Sequence, residues 1–141
     1  MSLYLDASAL VAGVVTEAGT PAIDRVLLDA ETTLEVSGLA VIEVSSAISR
    51  LCRMGVLAEA EANERLAQFD LWLARDANLV QHNEADTYAA NDFVRRVAFK
   101  LRAPDALHLA ICQRREARLV TFDRRLAAGA EALDIAVLAL A

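Results

Sequence analysis

Short apolar runs alternate with stretches of helical periodicity along the whole chain, and few folds accommodate that order. Ser2 to Asp6 reads as a strand, and a helix follows from Ala7 to about Val15. Thr20 as N-cap and Pro21 at the first helical position open a helix to about Ala30, with Ile23, Val26 and Leu27 on one side. A strand over Thr32 to Val36 leads through Ser37 and Gly38 into a long helix to about Met54. Its buried stripe is Val41, Val44, Ile48 and Leu51, and Gly55 stops it. Leu57 to Arg75 is the second arm of a helical hairpin, with Leu66, Phe69 and Leu73 on one face and Trp72 beside them. The remaining elements are a strand at Leu79 to Gln81, helices from Glu84 to about Leu101 and from Pro104 to Glu116, a strand at Arg118 to Phe122, a helix from Asp123 to Ala130 and a strand at Ile135 to Leu138. Strand followed by helix, repeated, requires right-handed crossovers and a parallel sheet covered on both faces. The expected fold is a three-layer α/β/α domain with a five-stranded parallel sheet, spanning residues 1–141 as one unit.

Such sheets bind ligands beyond the carboxyl ends of their strands, where the strand order reverses. Four carboxylates fall near strand ends or helix starts, Asp6 and Asp123 at strand carboxyl ends, while lying inside or beside apolar runs: Asp6 in YLDASALV, Glu43 in GLAVIEVSSAI, Asp105 in APDALHLAI and Asp123 in LVTFDRRL. Burying an unpaired carboxylate costs several kcal/mol, so a chain that does so repeatedly needs a compensating charge. Each acid taken singly has a simpler account. Asp6 and Asp123 precede helices and serve as N-caps, and Asp105 follows Pro104 where negative charge suits a helix start. Glu43 lies opposite the Val41, Val44 and Ile48 stripe, a position that fits solvent as well as a site. Together, four converging carboxylates repel one another by on the order of 4 kcal/mol per pair at about 4 Å, with an effective dielectric of about 20. The cluster then takes up protons or cations.

Oxygen ligands select a hard ion, Mg²⁺ or Mn²⁺, and His82 and His108 are too few for a usual zinc centre. The chemistry such an ion supports is hydrolysis at phosphorus. Ser8 and Thr121, each two residues from an acid, can orient a carboxylate or a water, or serve as ordinary capping and strand residues. His108, one helical turn after Asp105, reads first as a satisfied core histidine and second as a support for the site. Cys52 and Cys112 have no CxxC spacing and read as small buried apolar groups.

Composition narrows the setting. The hydrophobic fraction is 56%, yet no apolar run approaches the roughly 20 residues that span a bilayer. The N-terminal region lacks a basic segment and Asp6 interrupts its apolar stretch, so the expected compartment is the cytoplasm. The net charge of −6 argues against general adhesion to nucleic acid, but residues 95–125 carry nine bases against three acids, a local +6, which leaves −12 elsewhere. Among these bases Arg95, Arg96, Lys100 and Arg102 are the candidates for phosphate contact, with solvated helix faces as the plainer account.

The stretches YLDASALVA, SGLAVIEVSSAISRL, LRAPDALHLAIC and ARLVTFDRRLA resemble, in order and spacing, the four acidic motifs of PIN-domain ribonucleases. They are most similar to the VapC-type toxins of bacterial toxin–antitoxin pairs. The resemblance implies a strand order of 3-2-1-4-5 and Mg²⁺- or Mn²⁺-dependent hydrolysis of phosphodiester bonds in structured or single-stranded RNA. It also implies Asp6, Glu43, Asp105 and Asp123 as metal-site residues, with Ser8 and Thr121 as supporting hydroxyls. A homodimer and a small antitoxin that wraps the toxin are implied as well. The Leu66, Phe69, Trp72 and Leu73 group is a candidate partner surface, although a stripe at helical spacing is more often core. Two rivals remain. A non-catalytic binding module would use the same acids only as caps. A phosphoacceptor receiver domain would need a lysine at a late strand end, and Lys100, the one lysine, lies in a predicted helix.

Overall fold

The computed structural model describes residues 1–29, 31–138 and 140. Five parallel strands form one sheet: β1 (Leu3–Leu5), β2 (Leu34–Ser37), β3 (Ala77–Val80), β4 (Arg118–Val120) and β5 (Val137–Leu138). Their order is β3-β2-β1-β4-β5, as expected. The chain winds outward from β1 to β3, then returns to the other side for β4 and β5, so the switch point lies between β1 and β4. Tyr4 pairs with Glu35 on one side and Leu119 on the other.

The side-chain period of two divides the core. Leu3, Leu5, Leu34, Val36 and Val120 face a layer made of α1 (Ala7–Val14), α2 (Thr20–Leu28), α3 (Gly38–Arg53) and α4 (Glu59–Asp76). Tyr4, Val80 and Leu119 face the opposite layer of α5 (Glu84–Arg95), α6 (Ala103–Arg114) and α7 (Arg124–Ala132). This partition is what right-handed crossovers dictate: reversing the direction of travel along the sheet moves the connecting helices to the other face. Among the described residues no helix is long and apolar enough to cross a membrane.

Several predicted boundaries move. The helix expected from Glu84 to Leu101 ends at Arg95. A 3-10 turn at Val97–Phe99 follows, and Lys100 sits at φ 55° in the left-handed region. That reversal tucks Leu101 into the core against Gly129 of α7, a tertiary contact that outweighs the helix propensity of the segment. Thr20 is inside α2 rather than its N-cap, which is Gly19. The Thr20 hydroxyl donates to the Ala12 carbonyl at 2.7 Å and accepts from Glu17 N at 2.9 Å, tying α2 back to α1. The predicted end of that helix at Ala30 lies outside the described residues. β3 begins at Ala77, directly after α4, because its register is set by β2, from Leu34 opposite Ala77 to Ser37 opposite Val80. In α3 the fully buried residues are Ala40, Val44 and Ile48, while Val41 and Leu51 are only partly covered. Phe69 is buried, and Leu66, Trp72 and Leu73 pack around it, so the α4 stripe is chiefly core.

Candidate functional site

β1 delivers Asp6 just past its last residue, at the N-cap of α1, where Oδ1 accepts from Ala9 N at 3.0 Å. β4 delivers Thr121 and then Asp123, which caps α7 by accepting from Arg125 N and Leu126 N at 2.9 and 3.2 Å. β2 runs through the Ser37 cap into α3 and carries Glu43 over the sheet edge, and Asp105 projects from the first turn of α6. All four acids, with Ser8, Arg102 and His108, line one crevice of about 300 Å³ at the carboxyl ends of the strands.

Asp6 is 4% exposed and carries the densest set of bonds. Thr121 Oγ1 donates to its Oδ2 at 2.6 Å, and Ser8 Oγ lies 2.8 and 3.0 Å from its two oxygens. Ser8 and Thr121 are themselves 3.2 Å apart; Ser8 also accepts from Phe122 N and Thr121 from Asp123 N, each at 2.9 Å. The two hydroxyls therefore link the ends of β1 and β4. Burial pushes the Asp6 carboxyl above the ordinary 3.8, against the pull of the Thr121, Ala9 and Ser8 hydrogen bonds. Neutral donors do not fully compensate this charge; a cation would.

Asp105 is 6% exposed, and its Oδ2 accepts from Arg102 N at 3.1 Å with Arg102 Nε at 3.7 Å. Glu43 is only half-buried, and one of its oxygens, Oε1, is bonded to His108 Nε2. Glu43 thus turns toward the crevice and α6, with a third of its side chain left exposed. Among the described residues, Asp105 Oδ1, Asp123 Oδ2 and Glu43 Oε2 carry no hydrogen bond, and no side-chain polar atom is both buried and unpaired. These three oxygens are accordingly open to the solvent in the crevice.

The donor set is all oxygen and suits a hard cation. Among the described residues no three His, Cys, Asp or Glu side chains stand close enough to enclose an ion directly. Carboxylates that line a crevice rather than close on a point fit a magnesium-like ion, which keeps several of its waters between itself and the protein.

Of the four bases expected to touch phosphate, only Arg102 lines the crevice. Arg95 is exposed at the end of α5. Arg96 is held by Asp92 at 2.7 Å and lies over the rings of Phe93 and Phe99, and Lys100 occupies the turn that follows. Sequence reasoning missed Tyr4, whose hydroxyl meets His108 Nδ1 at 2.6 Å, and Ser37, which accepts from that tyrosine at 2.8 Å. The available signal was a tyrosine between two core leucines, whose hydroxyl had to find a buried partner.

A five-stranded parallel sheet with a carboxylate-lined crevice at its switch point defines a three-layer α/β protein with an acidic site. The chain belongs to the PIN domain family, whose profile matches residues 3–132. Among solved structures it is similar to Mycobacterium tuberculosis VapC20, a Sarcin-Ricin loop cleaving toxin, with a TM-score of 0.73 and 17% identity over 90% of this chain and 94% of that one. It is also similar to VapBC2 from Rickettsia felis bound to a promoter DNA fragment (0.69, 13% identity, 98% of each chain). VapBC-1 from nontypeable Haemophilus influenzae gives 0.70 at 13% identity, over 99% of this chain and 98% of that one. No curated protein matches the chain.

Proposed function

We propose that this protein is a Mg²⁺- or Mn²⁺-dependent endoribonuclease acting as the toxin of a toxin–antitoxin pair in the cytoplasm. The observation that carries the reading is the meeting of Asp6, Glu43, Asp105 and Asp123 in one crevice, although they come from four separate segments of the chain. The family and the VapC neighbours support it. When bound, the ion would supply a positive centre that polarises water and offsets charge building on a phosphodiester. Asp6, Asp105, Asp123 and Glu43 would hold it. Asp6, fixed by Ser8 and Thr121, is the rigid member. Arg102 at the crevice wall offers a guanidinium to a phosphate oxygen, and Arg95, Arg96 and Lys100, outside the crevice lining, are proposed as further phosphate contacts.

The partner reading extends the same proposal. Phe69 and Trp72, with Leu10, Ile23, Leu27 and Arg65, line a groove of about 250 Å³ between α1, α2 and α4. We assign this groove to the antitoxin, and a second copy of the chain to a homodimer.

The test is cleavage-site mapping on total cellular RNA with wild type and the Asp6→Asn and Asp105→Asn variants. Metal-dependent cuts by the wild type and none by correctly folded variants are expected; cleavage retained by either variant overturns the assignment. A binding module that used its acids only as caps would show no saturable Mn²⁺ binding and no stability gain from Mg²⁺. A receiver domain is disfavoured, because Lys100 sits in a turn after α5 rather than at a strand end.

A further inference from the structure

Behind the crevice runs a buried chain of polar contacts that starts in the sheet. Tyr4, fully buried on β1, donates from its hydroxyl to Ser37 Oγ at 2.8 Å and lies 2.6 Å from His108 Nδ1. The tyrosine and histidine rings meet edge to face at 5.7 Å. The other ring nitrogen of His108 is bonded to Glu43 Oε1. Ser37 Oγ also accepts from Ala40 N, which fixes the first turn of α3, the helix that carries Glu43.

This chain spans both layers of the fold. Tyr4 and His108 belong to the α5–α7 side, whereas α3 packs on the other. A histidine with one nitrogen on a tyrosine and the other on a carboxylate is a satisfied core residue in itself. Its position gives it more to do. Glu43 stands on a long flexible stem and is more exposed than Asp6 and Asp105, with a third of its side chain open to solvent. Holding Oε1 on a ring that is only 4% exposed removes the rotamers that would swing the carboxylate out, and leaves Oε2 as the oxygen offered to the crevice.

We propose that His108, held by Tyr4, which is in turn bonded to Ser37, is the positioning residue for Glu43 and thereby sets the affinity of the crevice for a divalent ion. The inference rests on the metal-nuclease reading for its consequence, but its geometric content does not depend on it. In this role His108 acts through Glu43, to which its Nε2 is bonded.

The experiment measures Mn²⁺ binding by calorimetry, and the order of Glu43 in ion-free crystals, for wild type, His108→Ala, His108→Gln and Tyr4→Phe. In His108→Ala the Mn²⁺ affinity falls by roughly 10–100-fold, the range typical when the support behind a metal ligand is removed, and the Glu43 side chain leaves the crevice. His108→Gln, whose amide can still donate to Glu43, recovers part of the affinity. Tyr4→Phe preserves the packing but frees the ring, and gives an intermediate loss. Unchanged Mn²⁺ affinity in His108→Ala, with Glu43 still ordered in place, overturns the proposal. So does a loss that His108→Gln repairs in thermal stability but not in Mn²⁺ affinity, since that marks a purely structural histidine. If the wild type itself binds no Mn²⁺, the metal-nuclease reading fails, and the ion-free crystals decide the positioning of Glu43 on their own.

Discussion

Asp86 is even less exposed than Asp6, at 2% against 4%, and the two carboxyls are pushed in opposite directions. Burial opposes ionisation of Asp86 too, but the Arg114 guanidinium binds both its oxygens, at 2.8 and 2.9 Å. With the Asn83 backbone it holds the carboxyl below the ordinary 3.8. Asp6 has only neutral donors and is raised. Asp86 is tied into the framework by its own arginine, whereas the donors bonded to Asp6 are the Ser8 and Thr121 hydroxyls and the Ala9 amide. The signs of their pH dependence therefore differ. The Asp86 pair contributes stability that is present above 3.8 and is lost as pH falls through the lowered folded value. Arg114→Gln removes roughly 2 kcal/mol at neutral pH, less than the ~3–5 of a fully buried pair because Arg114 is a third exposed, and flattens the acid limb of the stability curve. For Asp6 the penalty is absent below 3.8 and grows as pH rises toward the folded value. In ion-free buffer Asp6→Asn should thus raise the melting temperature at neutral pH, by about 3 °C for each kcal/mol relieved, and leave it unchanged at acid pH. Thermal melts across pH with a chelator present check both. Sequence could not separate these acids: Asp86 stands in an ordinary polar helix start, and the arginine that neutralises it comes from a different helix.

At the level of elements, two glycines on helices predict opposite outcomes for one substitution. A Cβ on Gly129 of α7 would lie 2.7 Å from Leu101 Cδ2 and 3.1 Å from Leu109 Cδ1, both core side chains. Gly129→Ala should destabilise by about 1–3 kcal/mol through overpacking. On Gly13 of α1 a Cβ would meet only Leu27 Cδ1, at an ordinary 3.6 Å. There alanine should stabilise by roughly 0.5–1 kcal/mol through helix propensity. Denaturant unfolding of the two variants tests the pair, and equal effects would contradict the packing described. The same packing explains what could be read in advance. Strand and helix order was legible because apolar periodicity switches cleanly between 2 and 3.6 residues. The early end of α5 was not, because the cause is Leu101 finding a berth on α7, a partner far away in sequence. Glu43 was ambiguous for a related reason: a helical wheel shows the core side of α3 but not the histidine that approaches from α6.

Across the whole molecule, the basic segment divides its labour. Arg114 and Arg115, at the far end of α6 from Asp105, are engaged with the buried acids Asp86 and Glu35. They lie about 15 Å along the helix from the crevice, at 1.5 Å per residue. Arg102 remains at the crevice itself. The +6 excess seen in the sequence is therefore partly structural, which composition alone could not reveal. RNA affinity measured over a salt series with the Asp6→Asn protein should separate the two roles. Replacing Arg102, or Arg95 and Arg96 together, should weaken binding and reduce the salt slope by roughly one for each phosphate no longer neutralised. An unaltered slope would show that those side chains do not meet the backbone of the RNA. The meeting of Asp6 and Asp123, by contrast, was legible, because a parallel sheet sends every strand end to the same edge.

Asp6 and Thr121 clasp each other from 115 residues apart, one just past the end of β1 and the other just past the end of β4. A ribosome must release most of the polypeptide before β4 can slot in beside β1. A chain that stops short of this strand lacks Asp123 and Leu126 of the crevice wall and the Thr121 bond that fixes Asp6.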